Sequence, residues 1–183
     1  MVSHNSMVID CAFKIKKIQI NNNAFCLLTS DRRLFIHGKD IGKSRSLGLG
    51  PDVTKTSCLT EIIIESEQIT DFSLSEKHGC AITEKGNTYV WGRGYSGETG
   101  QVGFSTLDSP KKLDCLDYEE FKLVFCNKYA TFLLSDTGAL LMGRLGGASS
   151  ITTLNLSNNS TTSKQKIYMQ LQEVQKALIL ETS

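Results

Sequence analysis

ITDFSLSEKHGCAITEKGNTYVWG, residues 69 to 92, sets apolar side chains two apart in short bursts: Phe72 and Leu74, then Cys80 and Ile82, then Tyr89 and Trp91. Period-two bursts interrupted by polar turn residues predict short antiparallel strands joined by tight turns. Lys85-Gly86-Asn87 falls between two bursts, where a hairpin asks for the positive φ that glycine adopts at no steric cost.

The stretch occurs three times. IKKIQINNNAFCLLTSDRRLFIHG, ending at Gly38, places Ile18, Ile20, Ala24, Cys26, Leu28, Phe35 and Gly38 on Phe72, Leu74, His78, Cys80, Ile82, Tyr89 and Gly92 at a constant offset of 54. FKLVFCNKYATFLLSDTGALLMG places Val124, Cys126, Ala130, Phe132, Leu134 and Gly138 on Phe72, Leu74, His78, Cys80, Ile82 and Gly86 at an offset of 52, then loses one residue before Gly143. The turn Asp31-Arg32-Arg33 lacks the glycine of its two counterparts. A repeat of this length means that one supersecondary unit is stacked on copies of itself, because a single unit cannot bury its own apolar face.

The middle copy continues as WGRGYSGETGQ, residues 91 to 101. Trp91-Gly92 followed by Gly97-Glu98-Thr99-Gly100 resembles the W-G-x-N-x-x-G-Q-L-G signature of the regulator of chromosome condensation repeat. The first copy has His37-Gly38 and, two residues late, Leu47-Gly48-Leu49-Gly50; the third keeps Met142-Gly143 and Gly146-Gly147. The resemblance covers about residues 14 to 150 and implies a β-propeller of four-stranded blades, usually seven. The fold class expected is all-β: a partial propeller of three four-stranded blades, with a C-terminal helix or an incomplete fourth blade. Gly38, Gly48, Gly86, Trp91, Gly92, Gly97, Gly100, Gly138 and Gly143 are its expected framework.

The organisation expected is an N-terminal arm over 1–13, repeats over 14–66, 67–117 and 118–150, a polar Ser/Thr/Asn-rich linker over 151–165 and a last segment over 166–183. That segment has two readings. Ile167, Leu171, Val174 and Leu178 form one helical stripe, whereas Ala177 to Leu180 fall where a fourth copy would carry Ala24 to Leu27. Three blades leave unpaired edges, so a protein partner is expected to cover them.

HGKDIGKSR, residues 37 to 45, looks like a phosphate-binding loop, but only three residues separate Gly38 from Gly42 where such a loop has four. Gly38 is also the blade-end glycine aligned with Gly92, and the SLGLGPD that follows is rich in helix breakers. The stretch reads as a loop between strands. With Arg93 to Ser96 and Arg144 to Ser149 it is one of three variable loops, whose Lys39, Lys43, Arg45, Arg93, Tyr95 and Arg144 are the candidate partner-binding residues.

The composition narrows the function. Twenty Lys and Arg balance 19 Asp and Glu in 183 residues, which gives no field that would draw nucleic acid. No apolar run approaches the ~18 residues of a membrane span, and no secretory leader is evident, so the reading is intracellular, in cytoplasm, nucleus or an organelle. The six cysteines form no C-x-x-C pair and read as buried free thiols, and His4, His37 and His78 lack an oriented carboxylate or nucleophile. No catalytic residue, cofactor, metal or small-molecule substrate is expected. The resemblance adds one alternative: the founding family member is an exchange factor for the small GTPase Ran and docks on chromatin. A fold shared by ligases, scaffolds and inhibitors does not choose among these roles, and protein binding or scaffolding in a larger assembly is the leading expectation.

Overall fold

The structure, a computed structural model, describes residues 13–101, 105–113, 120–136, 138–145 and 148–155. The period-two bursts fold as strands of three four-stranded antiparallel sheets, and the described residues contain no helix. The first sheet is β1 (Ile15–Ile20), β2 (Ala24–Thr29), β3 (Leu34–Gly38) and β4 (Thr60–Ile62) in chain order. The second is β5 (Ile69–Leu74), β6 (His78–Thr83), β7 (Thr88–Gly92) and β8 (Leu107–Lys112), again in order. The third is β9 (Phe121–Cys126), β10 (Ala130–Ser135), β11 (Gly138–Leu145) and β12 (Ala148–Asn155). Pro110 lies in β8, an outer edge strand, where a missing N–H costs no ladder bond.

The offset of 54 is visible in the backbone. β1 and β5 carry the same register irregularity, between Ile15 and Lys17 and between Ile69 and Asp71. The β6–β7 hairpin turns on Gly86 at φ 79°, and Arg32 takes the equivalent place at φ 65°, so the glycine-free turn adopts the left-handed conformation regardless. Counted back from Gly143, Gly138 falls at the position of Asn87 and not of Gly86: the deleted residue lies in the β10–β11 hairpin.

The core lies between sheets. Along β6 and β7, Ala81, Tyr89 and Trp91 face the first sheet and pack with Cys26, Leu28, Ile36, Leu47 and Phe72. Cys80, Ile82 and Val90 face the third and pack with Val124, Leu133, Leu140 and Met142. This is strand alternation with both faces buried. The first sheet differs at its free face. Ile69, Phe72 and Leu74 are 2, 0 and 3% exposed, whereas their counterparts Ile15, Ile18 and Ile20 are 39, 52 and 74% exposed.

Two expectations need comment. Arg144, Leu145, Ala148 and Ser149, expected in a loop, are strand residues: β11 runs through Arg144 and pairs with β12 as Arg144↔Ser149 and Leu145↔Ala148. β12 continues to Asn155, so the start of the expected linker is strand pairing along the outer edge of the third sheet. The final segment, read as helix or fourth copy, lies outside the described residues, as does His4.

Candidate functional site

Each sheet sends two connections to one side of the molecule, here called the upper face. They are the turn between its first two strands and the loop leaving its third, because Ala24 pairs with Gly38, His78 with Gly92 and Ala130 with Gly143. The turns are capped alike. Asn21 Oδ1 accepts from the N–H of Asn23 and Ala24, Ser75 Oγ from Lys77 and His78, and Asn127 Oδ1 from Tyr129 and Ala130. These cap residues share one repeat position. Sequence reading passed over them, although an Asn or Ser three residues before each second strand was the signal. The glycines at the equivalent position of the third strands, Gly38, Gly92 and Gly143, have φ of 152°, 94° and 112° and lie against the carbonyls of Asn23, Lys77 and Tyr129, which leaves no room for a β-carbon.

The seam between the first two sheets is sealed at Trp91. Its Nε1–H donates to the Ser46 carbonyl at 2.9 Å, and a β-carbon on Gly48 would come within 2.7 Å of its ring. Gly79, its cross-strand neighbour, leaves room for the indole. Side chains at equivalent positions also meet across this seam: Lys17 Nζ donates to Asp71 Oδ1 at 2.7 Å, Asn21 Nδ2 to the Ser75 carbonyl at 2.9 Å and Asn22 Nδ2 to Glu76 Oε1 at 2.8 Å.

The second seam repeats the plan with other residues. A β-carbon on Gly100 would come within 2.5 Å of Met142 Sδ, as one on Gly48 would meet Trp91, and the Thr131 hydroxyl donates to the Glu98 carbonyl at 2.7 Å. Asp71 Oδ2 and Ser73 Oγ accept the N–H of Val124 and Cys126, so Asp71 touches all three sheets. His78 is fully buried between Ser75 Oγ, 3.0 Å from Nδ1, and Thr131 Oγ1, 2.8 Å from Nε2. With the Thr131 proton given to Glu98, Nε2–H is the tautomer that satisfies Thr131, and the Ser75 hydroxyl is shared between Nδ1 and the His78 carbonyl, each at 3.0 Å. Burial pushes the His78 pKa down to about 3. The Ser75–His78 pair is therefore a sealed turn brace: it faces Thr131 where a catalytic dyad would have a carboxylate and a substrate.

The remaining ionisable groups agree. Burial raises the thiols of Cys26 and Cys80 above their ordinary range and Cys126 to about 12, so these three are packing groups in their neutral form. Cys26, Cys58, Cys80 and Cys126 are free, and no cluster of three or more His, Cys, Asp or Glu among the described residues has metal-site geometry.

Three of the charged candidates, Arg45, Lys39 and Arg144, take part in the scaffold. In the loop after β3, Asp40 accepts from Ser44 Oγ, the Arg45 N–H and the Ser46 N–H and hydroxyl, at 2.5 to 3.2 Å. The N–H groups that would face a phosphate already hold the chain's own carboxylate, which removes the phosphate-loop reading on structural grounds. Lys43 and Arg45 stand at φ 59° and 60°, and Arg45 Nε pairs with Asp108 in β8 at 3.0 Å. Arg45 thus ties the first loop to the second sheet and does not await a partner. Lys39 forms a backbone bridge with Lys55, and Arg144 is a strand residue. Lys43, Arg93 and Tyr95 remain on the upper face, with the Arg93 guanidinium 4.9 Å from the Tyr95 ring.

At the free face of the first sheet a groove of about 450 Å³ opens over Phe25 and His37, flanked by Ile20, Lys39, Lys55 and Thr56. Phe25 and His37 form the cross-strand pair equivalent to Gly79–Trp91 and Thr131–Met142. The latter two pairs each receive a glycine loop from the preceding sheet.

No family model matches the sequence. Protein RCC2 of Mus musculus is 31% identical over 75 residues, which are 38% of this chain and 14% of that protein. Among solved structures, human WBSCR16 superposes with a TM-score of 0.68 at 15% identity, covering 79% of this chain and 38% of that one. Prp20p of Saccharomyces cerevisiae superposes with a TM-score of 0.62 at 19% identity, covering 80% and 39%. The chain thus spans well under half the length of each protein it matches. The shared fold, the sheet order and the partial sequence likeness lead to one conclusion: the chain is built from repeats similar to those of the regulator of chromosome condensation β-propeller.

Proposed function

We propose that the chain is a non-catalytic protein-binding scaffold, a component of a larger protein assembly in which the free face of its first sheet is covered by another repeat of the same kind. The observation that carries this reading is the contrast between Ile15, Ile18 and Ile20 and their sealed counterparts Ile69, Phe72 and Leu74, together with the groove over Phe25 and His37. Exposed apolar strand faces of this extent are stable in water only when covered. The occupant is defined by the two sealed seams. It is a loop with a glycine over the cross-strand pair and a backbone carbonyl within reach of His37, as the Ser46 and Glu98 carbonyls serve Trp91 and Thr131.

A photo-reactive residue at position 20 tests this. Crosslinks in the native assembly are expected on the loop or first strand of a repeat of this type, in the same or another polypeptide. Crosslinking no stronger than at the solvent-facing control Ile63, or landing on unrelated sequence, overturns the reading.

A second reading is regulation of a small GTPase. Its support is the likeness to Prp20p, which was solved in connection with its binding to Gsp1p and histones. Accelerated nucleotide release from a Ran-like GTPase is its expected signature, and no acceleration across a panel of small GTPases removes it. Chromatin binding would require steep salt dependence. The near-neutral charge of the chain weighs against it.

A further inference from the structure

We propose that the upper-face seam between the second and third sheets, formed by Lys77, Arg93, Tyr95, Lys128 and Tyr129, is a docking site for an acidic segment of a partner protein. The proposal deepens the scaffold reading by naming a second surface and the chemistry it recognises. The seam lies on the second and third sheets, whereas the groove belongs to the first.

The turns 75–77 and 127–129 and the loop from Arg93 converge here, because they leave equivalent ends of adjacent sheets. Lys77 Nζ and Lys128 Nζ lie 5.3 and 5.6 Å from the centroid of the Tyr129 ring, and Arg93 lies over Tyr95. Tyr129 and Tyr95 are nonetheless 45 and 63% exposed. Two large aromatic side chains are thus held out in water with cations gathered on them. None of the three cations has a salt bridge among the described residues, although Lys17, Arg32, Arg33, Arg45, Lys85 and Lys122 each have one.

The local carboxylates form no ion pair with the cluster, although Glu98 lies within electrostatic reach of Arg93 and Lys77. Glu98 is 1% exposed and accepts the Ser96 N–H, and Glu76 is bonded to Asn22 of the first sheet. Arg93 Nε is buried and has no acceptor. A buried guanidinium donor without a partner is costly to leave so, and a shift of the Arg93 side chain toward an incoming carboxylate would satisfy it. Tyrosine and arginine, represented here by Tyr95, Tyr129 and Arg93, are also residue types enriched in protein interfaces.

An acidic protein segment fits better than a nucleic acid for two reasons. The Tyr129 ring already carries two ammonium groups and the Tyr95 ring the Arg93 guanidinium, which leaves less ring surface for stacking a base. The positive cluster is confined to one seam of a chain with net charge +1, whereas nucleic-acid binding draws on many phosphate contacts.

The test is fluorescence anisotropy of the whole chain with a labelled peptide of alternating Glu and Gly, a matched Gln–Gly peptide and a short duplex DNA. The Glu–Gly peptide is expected to bind and to be released by salt. Reversing Lys77→Glu with Lys128→Glu is expected to weaken it about tenfold or more, since two attractive contacts become repulsive. Tyr129→Ala is expected to weaken it several-fold by freeing the two ammonium groups. Reversing the exposed Lys14→Glu with Lys111→Glu, away from the seam, is expected to change it less than about twofold. Unchanged Trp91 emission certifies that each variant is folded. Equal loss from both reversals, equal binding of the Gln–Gly peptide, no binding at all, or tighter binding of the DNA at the same residues would each overturn the proposal. Crosslinking at position 20 succeeds or fails independently of these outcomes.

Discussion

Acidification provides the most direct test of how the second seam is held. His78 is fully buried, with Nε2 donating to Thr131 and Nδ1 accepting from Ser75, and its pKa falls from the ordinary 6.5 to about 3 because burial disfavours the cation. Only the unfolded chain takes up a proton between those values. Stability is therefore fully present above pH 6.5 and is lost progressively as the pH falls toward about 3. The slope is about 1.4 kcal/mol per pH unit, so roughly 2 kcal/mol is gone by about pH 5. That is a large share of the ~5–15 kcal/mol available to an ordinary domain. His78→Gln keeps a neutral donor toward Thr131 and removes the titration. Urea unfolding followed by the emission of Trp91, the only tryptophan in the chain, measures both proteins at neutral pH and about pH 5. The variant is expected to be less stable at neutral pH by about 1 kcal/mol and to lose roughly 2 kcal/mol less on acidification. Burial raises the Glu98 pKa, so that group gains stability as pH falls, but it is common to both proteins and cancels in the difference. Parallel pH dependences for the two proteins would refute the assignment of His78 as a buried neutral brace.

Other substitutions test the remaining joints. Gly79→Ala drives a methyl group into the Trp91 ring and is expected to cost about 1–3 kcal/mol, with a shift in tryptophan emission as the seam is pushed apart. Gly86→Ala is expected to cost about 1 kcal/mol in chemical denaturation, because φ 79° suits glycine alone. Arg32→Gly, at the equivalent turn, is expected to be within about 1 kcal/mol of neutral, since relief of its left-handed backbone offsets the exposed pair with Glu84. Asp71→Ala is expected to destabilise by about 2–4 kcal/mol, measured by urea unfolding, as it uncaps the Val124 N–H and strands Lys17.

The alternation from Ile69 to Trp91 and its copies at 54 and 52 made the strands, their order and their inter-sheet burial legible, because local period and repeat length carry that information directly. Gly86 was legible for the same reason. The role of Arg45 was not. A charged loop residue gives no sign that its backbone will adopt φ 60° or that Asp108 stands opposite. Arg144 was misplaced because Gly146-Gly147 reads as a loop, whereas the strands on either side of it stay paired through Arg144↔Ser149. The brace of Ser75, His78 and Thr131 and the gathering of Lys77 and Lys128 on Tyr129 join residues about one repeat apart. Such meetings depend on how sheets abut, which no single repeat encodes.

The bond from Lys17 to Asp71 has a further consequence. The two residues occupy one column of the repeat, 54 positions apart, and bond because they carry opposite charges. Two identical copies would set lysine against lysine or aspartate against aspartate. The column therefore acts as a key: the repeats cannot be interchanged or duplicated verbatim, and the order in which they stand around the axis is written into their side chains.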